Sequence, residues 1–346
     1  MQSKEISANF KGVIDSTLRE GLQFRETNFS LADQIQVLHY LNDLGVKRAE
    51  VGNPIANGQA EIITELVALD ERPILISHIR NRLADLEAAI LTGVDGVNIL
   101  CTVDPERLAG MNKTIEDNIR ILEEVITMAK ANGLEVKVGI EDFFGQDQET
   151  ALEVLQLADQ LGVDRVSIAD TLGIAFPWQV QQQVSWLRER IQADILVHLH
   201  NDLGMAQSNA LIALLSGANY VDTTILGIGE RTGINSLSVL LTSLYVLDND
   251  RFIDDYFLPI LTVMDNWLAR TLNIPVPFSM VTNQETAFSH KAGIHLDAIK
   301  KHGPNKYEPF SPGVIGNQRN IIIGTQVSGG TTASEVQQFY QLNGRS

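Results

Sequence analysis

The sequence predicts an α/β fold, a (β/α)8 (TIM) barrel followed by a small, mainly helical appendage. Three observations carry this. Strand-like apolar runs alternate with amphipathic helical stretches eight times over about 235 residues, the arithmetic of that barrel. Glycines close the helical stretches at Gly45, Gly93, Gly133, Gly162 and Gly217, each just before the next strand. Polar clusters fall where strands end, the end at which barrels carry their chemistry. A doubly wound open sheet would show a glycine-rich phosphate turn after its first strand, and DSTLREGLQ contains no G-x-G-x-x-G.

In chain order, the expected strands are 13–16, 49–52, 73–78, 96–101, 135–141, 165–169, 195–200 and 220–226. The first helix, SLADQIQVLHYLNDLG, opens on Ser30 as N-cap, carries apolar residues at helical spacing and stops at Gly45. The barrel is expected over 1–250. Beyond it, RFIDDYFLPILTVMDNWLARTLNI reads as one or two helices and PVPFSM as a linker. FSHKAGIHLDAIKKHGPNKYEPF follows as a polar stretch, and GTQVSGGTTASEVQQFYQL as a loop leading to a short helix. These make a C-terminal subdomain over 251–346.

The formal net charge of −17 argues against nucleic acid and anionic membrane as partners, since both require clustered Lys and Arg. No apolar run approaches the roughly 18 to 20 residues of a membrane span, and MQSKEISANFKG lacks the apolar core of a signal peptide. The single cysteine, Cys101, excludes an intrachain disulfide framework and fits a reducing cytoplasm.

His198 and His200 sit two apart in VHLHNDLGMA, so a strand turns both imidazoles to one face. Two core histidines satisfied by hydrogen bonds would fit this pattern. So would a divalent metal completed by Glu20 of DSTLREGLQ, with Asn201 and Asp202 supplying hydrogen bonds at the same rim. The donor set, two His and one carboxylate, suits Zn, Mn, Co or, with waters, Mg. Arg19 beside Glu20 is either part of a surface ion-pair patch or a fork for an anionic substrate, oriented by Asp15. Asp170 and Thr171 fit an N-cap or a pocket wall. The glycines of LGIGERTGI fit a flexible loop or a close backbone approach to a phosphate-bearing ligand. HKAGIH, outside the barrel, is an exposed helix start, or it belongs to a lid or a partner subunit supplying a base.

Together DSTLREGLQ, SHIRNRLADLEAAILTGVDGVNIL, ADTLG, HLHNDLGMA, LGIGERTGI and HKAGIH resemble the acyl-CoA-condensing branch of the metal-dependent TIM-barrel lyases. That branch holds the homocitrate, isopropylmalate and citramalate synthases. The likeness extends through about Tyr307 and is nearest to the homocitrate synthases. It implies an acyltransferase that condenses acetyl-CoA, as co-substrate, with a 2-oxo acid and then hydrolyses the thioester. It also implies a homodimer in which each appendage completes the partner's active site. By the same resemblance Glu20, His198 and His200 match the metal ligands, and Arg19 the group that polarises the keto oxygen. Gln23, Glu141 and Thr171 match residues around the acid. His295 matches the histidine that helps deprotonate acetyl-CoA in the partner barrel, and Tyr307 its tyrosine companion.

The sequence departs from the homocitrate synthases in the expected tail pocket, formed by Leu22, His78, Lys137, Gly139 and Thr171. Leu22 stands where the family has an acid, and Lys137 and Gly139 replace the arginine and serine that hold the distal carboxylate of 2-oxoglutarate. A roomier, more apolar pocket points to a bulky apolar oxo acid. Phenylpyruvate, giving 2-benzylmalate, leads, with branched aliphatic acids next. Homocitrate synthesis, with Lys137 pairing a dicarboxylate, and 2-isopropylmalate synthesis are the alternatives within the branch. A metal-dependent acyl-CoA lyase or aldolase is the alternative class.

Overall fold

The computed structural model describes residues 2–248, 252 and 254–322. Eight parallel strands close into a barrel. They are β1 (Gly12–Leu18), β2 (Arg48–Val51), β3 (Ile74–Arg80), β4 (Gly96–Cys101), β5 (Glu135–Ile140), β6 (Arg165–Asp170), β7 (Asp194–Leu199) and β8 (Tyr220–Thr223). Each pairs with the next in order, and β8 returns to β1 through Gly12–Tyr220 and Asp15–Thr223. Between them run the surrounding helices, from Leu31–Leu44 after β1 to Ala206–Leu215 after β7. Ile14, Ile76, Leu196 and Tyr220, from four strands, form a buried cluster in the interior.

Local signals explain the helix limits. Ser30 Oγ accepts from Asp33 N–H, and the Asp33 carboxylate accepts from Ser30 N–H, a reciprocal capping box. Gly45 ends that helix in the left-handed region at φ 98°, where a Cβ is costly. Strand limits depart from expectation mainly at β8, which ends at Thr223 rather than 226. Leu226 takes φ 60°, and Leu237 N–H donates to the Thr224 carbonyl at 3.0 Å, closing the loop between them, so strand pairing stops before the apolar run is finished. His200 lies one residue past β7 and pairs with Ile234 in an isolated antiparallel bridge.

The chain divides into two compact units, Met1–Leu240 and Leu241–Ser346. The second contains the helix Leu261–Thr271, a short parallel pairing of Ser289–His290 with Asn320–Ile321, and the helix Gly293–His302. Leu296, Ile299 and Ile321 pack together there. Buried His290 bonds Glu308 at 3.0 Å, and Arg319 Nη2 donates to the same carboxylate at 2.8 Å. The expected loop and helix in GTQVSGGTTASEVQQFYQL lie outside the described residues. No described helix is long and apolar enough to cross a membrane.

Asp15 is a buried acid within β1. One carboxylate oxygen accepts from Thr17 N–H at 2.9 Å, while the other has no hydrogen-bond partner. Burial, with the nearby Asp222 and Glu50, pushes its carboxyl up to about 7, against the bonds from Thr17. Between the ordinary carboxylate range and pH 7 the unfolded chain has released a proton that the native state keeps. Raising the pH through that window therefore favours the unfolded chain. Asp15→Asn keeps the acceptor for Thr17 but cannot ionise. Its stability relative to wild type, from urea midpoints between pH 4.5 and 8, should rise by up to about 1.4 kcal/mol per pH unit and level off above pH 7. A pH-independent difference would show that Asp15 ionises normally.

Candidate active site

The residues that end the strands converge on one cavity of about 230 Å³. Arg19, Glu20 and Gln23 come from the turn after β1, Glu141 follows β5, Thr171 follows β6, and His200 follows β7. Gly139 and His198 lie on β5 and β7, His78 on β3. All nine line this space, together with Asn98, Ser167, Asp222 and Arg231, which the sequence reading did not single out.

Glu20, His198 and His200 form the only group of at least three His, Cys, Asp or Glu side chains among the described residues with donor atoms gathered tightly enough for a metal ion; these lie within 4.8 Å of one another. The two imidazole Nε2 atoms are 3.4 Å apart, and His198 Nε2 is 3.9 Å from Glu20 Oε2. His198 Nδ1 meets the Asp222 carboxylate at 3.0 Å, a contact in which Nδ1 carries the proton, and Nε2 is turned toward His200 and Glu20. Burial, and then His198 beside it, pull the His200 imidazole down to about 4, so it is neutral near pH 7. Burial alone would raise Glu20. Arg19, His198 and the Glu230 N–H hold it below its ordinary range, so it is a carboxylate. Two imidazoles and one carboxylate, with a second carboxylate behind one ring, are the donor chemistry and outer support of a divalent-metal site.

The loop after β8 is what holds Glu20. Glu230 N–H donates to Glu20 Oε1 at 2.8 Å, and a Cβ on Gly229 would come within 2.8 Å of the same oxygen. The glycines of LGIGERTGI thus allow backbone to approach a protein carboxylate. Arg231, at φ 55°, binds Asp202 through two contacts of 2.8 Å and donates to the Thr171 carbonyl at 2.6 Å, tying three loops together.

Arg19 is held otherwise than the sequence suggested. Asp15 is engaged with Thr17, and it is Glu50 on β2 that orients Arg19, accepting from Nε at 2.9 Å while Nη1 reaches Glu20 at 2.6 Å. The strand-and-turn geometry of residues 15–19 does not bring together side chains four apart, as a helix would. Glu50 is fully buried, and burial would raise its carboxyl. The Lys137 ammonium and the Arg19 guanidinium hold it well below the ordinary range instead. Lys137 is therefore not on the cavity wall. It is 1% exposed, beneath the floor, 2.5 Å from Glu50 Oε1. The approach is that of a close ion pair rather than an aligned hydrogen bond. Leu22, half-buried in the Gly21–Gln23 turn, also lies off the lining. Asp170 accepts from Ile174 and Ala175 N–H, well before the helix that starts at Pro177, so it is a loop anchor and no N-cap. Thr171 Oγ1 accepts from Asp142 N–H, and Glu141 pairs with Arg107.

Glu50, Asn98 and Asp222 were missed, although each is the one acid or amide in a short, buried strand: RAEV, GVNILC and YVDT. That pattern is itself a signal, since a buried polar group needs partners. In the second unit His295 and Tyr307 stack at 4.1 Å between ring centres.

Comparison with known proteins accords with this geometry. Residues 12–260 match the HMGL-like family, and residues 282–344 the homocitrate synthase post-HMGL domain-like family. The mitochondrial homocitrate synthase of Schizosaccharomyces pombe is 38% identical over 92% of this chain and 76% of its own. The 2-isopropylmalate synthase 2 of Caldanaerobacter subterraneus subsp. tengcongensis is 31% identical over 90% and 81%. The Bacillus subtilis HMG-CoA lyase structure superposes with a TM-score of 0.67 at 20% identity, over 77% of this chain and 95% of that one, a likeness of fold. A barrel of this register, two sequence matches that divide the chain between them, and relatives that match nine-tenths of its length agree: the chain belongs to the HMGL-like family, as an enzyme of its homocitrate and isopropylmalate synthase branch.

Proposed function

We propose that the enzyme condenses acetyl-CoA with a 2-oxo acid whose tail is uncharged, phenylpyruvate first and branched aliphatic acids next. The observation that carries the substrate reading is where the cations are spent. Among the described residues, the cavity's guanidinium groups are Arg19 and Arg231. Arg19 faces Glu20 and so the keto-acid head, and Arg231 is committed to Asp202. Lys137 is turned to Glu50. Burial, and then Arg19, pull His78 down to about 3, so it too is neutral. A distal carboxylate would meet no unspent charge here, and one lost charge-assisted bond costs about 1.5–3 kcal/mol, roughly ten- to a hundredfold in affinity. The second reading is homocitrate synthesis from 2-oxoglutarate, favoured by the likeness to the S. pombe enzyme.

In this mechanism Glu20, His198 and His200 hold a divalent metal, which when bound supplies Lewis-acid polarisation of the substrate's keto and carboxylate oxygens. Arg19 directs its guanidinium to the keto oxygen, where negative charge develops as the carbonyl is attacked. Gln23, Glu141 and Thr171 position the acid. His295, with Tyr307 stacked on it, takes the methyl proton of acetyl-CoA in the barrel of a partner subunit of a homodimer. The methyl carbon then bonds to the keto carbon, whose oxygen receives the electron pair and a proton. Water finally cleaves the thioester, releasing the CoA thiol and leaving the second carboxylate.

Three measurements test this. Glu20→Ala or His200→Ala should lose bound metal, read by elemental analysis after dialysis, and nearly all turnover. Wild-type activity in a metal-free His200→Ala protein would sink the metal assignment. Mixing inactive His295→Ala with inactive Glu20→Ala under conditions of subunit exchange should restore part of the activity, up to about a quarter if exchange is statistical. No recovery with exchange demonstrated would mean that each barrel is self-sufficient. Finally, kcat/KM for phenylpyruvate and 2-oxoisovalerate should exceed that for 2-oxoglutarate by roughly tenfold or more. Gly139→Ser, whose Cβ would lie 3.4 Å from Asn98 Oδ1 and 3.7 Å from Ser167, should narrow that preference. A clear preference of the wild type for 2-oxoglutarate would refute the uncharged-tail reading and leave the condensation untouched.

A further inference from the structure

Along and beneath the cavity floor a continuous line of ionisable groups joins the two halves of the site. Arg19 Nε donates to Glu50 Oε2 at 2.9 Å. Glu50 Oε1 lies 2.5 Å from Lys137 Nζ, and Lys137 Nζ lies 3.5 Å from Asp222 Oδ2. Asp222 Oδ2 in turn meets His198 Nδ1 at 3.0 Å. Lys137 is the middle of this line. It sits on β5 in register with Asn98 on β4, and Asn98 Nδ2 donates to the same Glu50 oxygen at 2.8 Å.

We infer that Lys137 is a positioning residue: it occupies the inner oxygen of Glu50 and so leaves Arg19 bound to that carboxylate by Nε alone, with its terminal nitrogens turned away from Glu50 toward Glu20 and the reacting carbonyl. The warrant is geometric. A guanidinium beside an unshared carboxylate closes on it with two parallel bonds. With Oε1 filled by Lys137 and Asn98, Arg19 has only Oε2, and Nη1 turns to Glu20 at 2.6 Å. An ammonium fits the task because it is a compact charge that can pair with Glu50 and Asp222 on different sides at once, which a planar fork cannot do. Lys137 then influences every 2-oxo acid alike through Arg19, and it does not read the substrate's tail.

This inference rests on the reading of Arg19 as the group that meets the oxo acid. The test is a double-mutant cycle of Lys137→Met and Glu50→Gln, with Arg19→Ala as control, assayed on phenylpyruvate, 2-oxoisovalerate and 2-oxoglutarate by CoA thiol release. Lys137→Met should lower kcat about tenfold or more for each acid, with KM changed less and the ratios of kcat/KM among the three acids within about twofold of wild type. In the Glu50→Gln background, where the pull on Arg19 is gone, the same substitution should lower kcat by less than about threefold. A shift of the substrate ratios by tenfold would overturn the inference in favour of a tail-reading lysine, and an unchanged kcat in Lys137→Met would overturn it outright. So would equal losses in the two backgrounds. If the single variant does not fold, the pair Glu50→Gln and Glu50→Gln/Lys137→Met carries both the kcat comparison and the ratio comparison. Full activity in Arg19→Ala would instead show that the reading of Arg19 fails. An inactive Arg19→Ala beside an unimpaired Lys137→Met would count against Lys137 alone.

Discussion

A fully buried carboxylate, Glu50, is the constraint on which the site is built. An ionised acid taken out of water is costly unless its charge and lone pairs are met. Here a guanidinium from the turn after β1, an amide from β4 and an ammonium from β5 all converge on it, with the Ser16 hydroxyl at 3.3 Å. The first three of these groups have a second duty. Arg19 faces Glu20, Asn98 contacts His78 at 2.9 Å, and Lys137 reaches toward Asp222 and thence His198. The positions of the groups around the cavity therefore follow from how one hidden charge is compensated.

The fold was legible because its signals are periodic and redundant. Strand parity, glycine stops and Ser30 each recur or have a local mechanism, and a miss of a residue or two does not change the barrel. The triad was legible because H-x-H on a strand fixes a common face and an acid stands at the end of the first strand. Lys137 was placed on the right strand and the right face, but a four-carbon stem lets its charge travel, and spacing does not say which carboxylate it will find. Arg19 was given the wrong partner for a related reason. Its true partner, Glu50, is distant in sequence and stands as one acid in a four-residue strand.

The barrel alone does not distinguish making a carbon–carbon bond from breaking one. An HMG-CoA lyase shares it at 20% identity, and chemistry resides in the loops and side chains grafted on such a scaffold. What separates this chain from a lyase lies largely beyond β8. The match over residues 282–344 is to a domain characteristic of homocitrate synthases, and within it His295 and Tyr307 are stacked. Gly139 and Ser167, paired on β5 and β6, shape a finer part of the cavity wall.

The bond from Glu230 N–H to Glu20 spans 210 residues of sequence. On the ribosome, Glu20 emerges early and waits through five further strands before His198 appears on β7 and His200 just past it. The amide that fixes its carboxylate is made later still. A nascent chain arrested before β7 therefore holds one donor of three, with no support behind it. Since domains generally fold as units, the gathered donors arise only as the cylinder shuts. Ion capture would then report that the first and last staves have met.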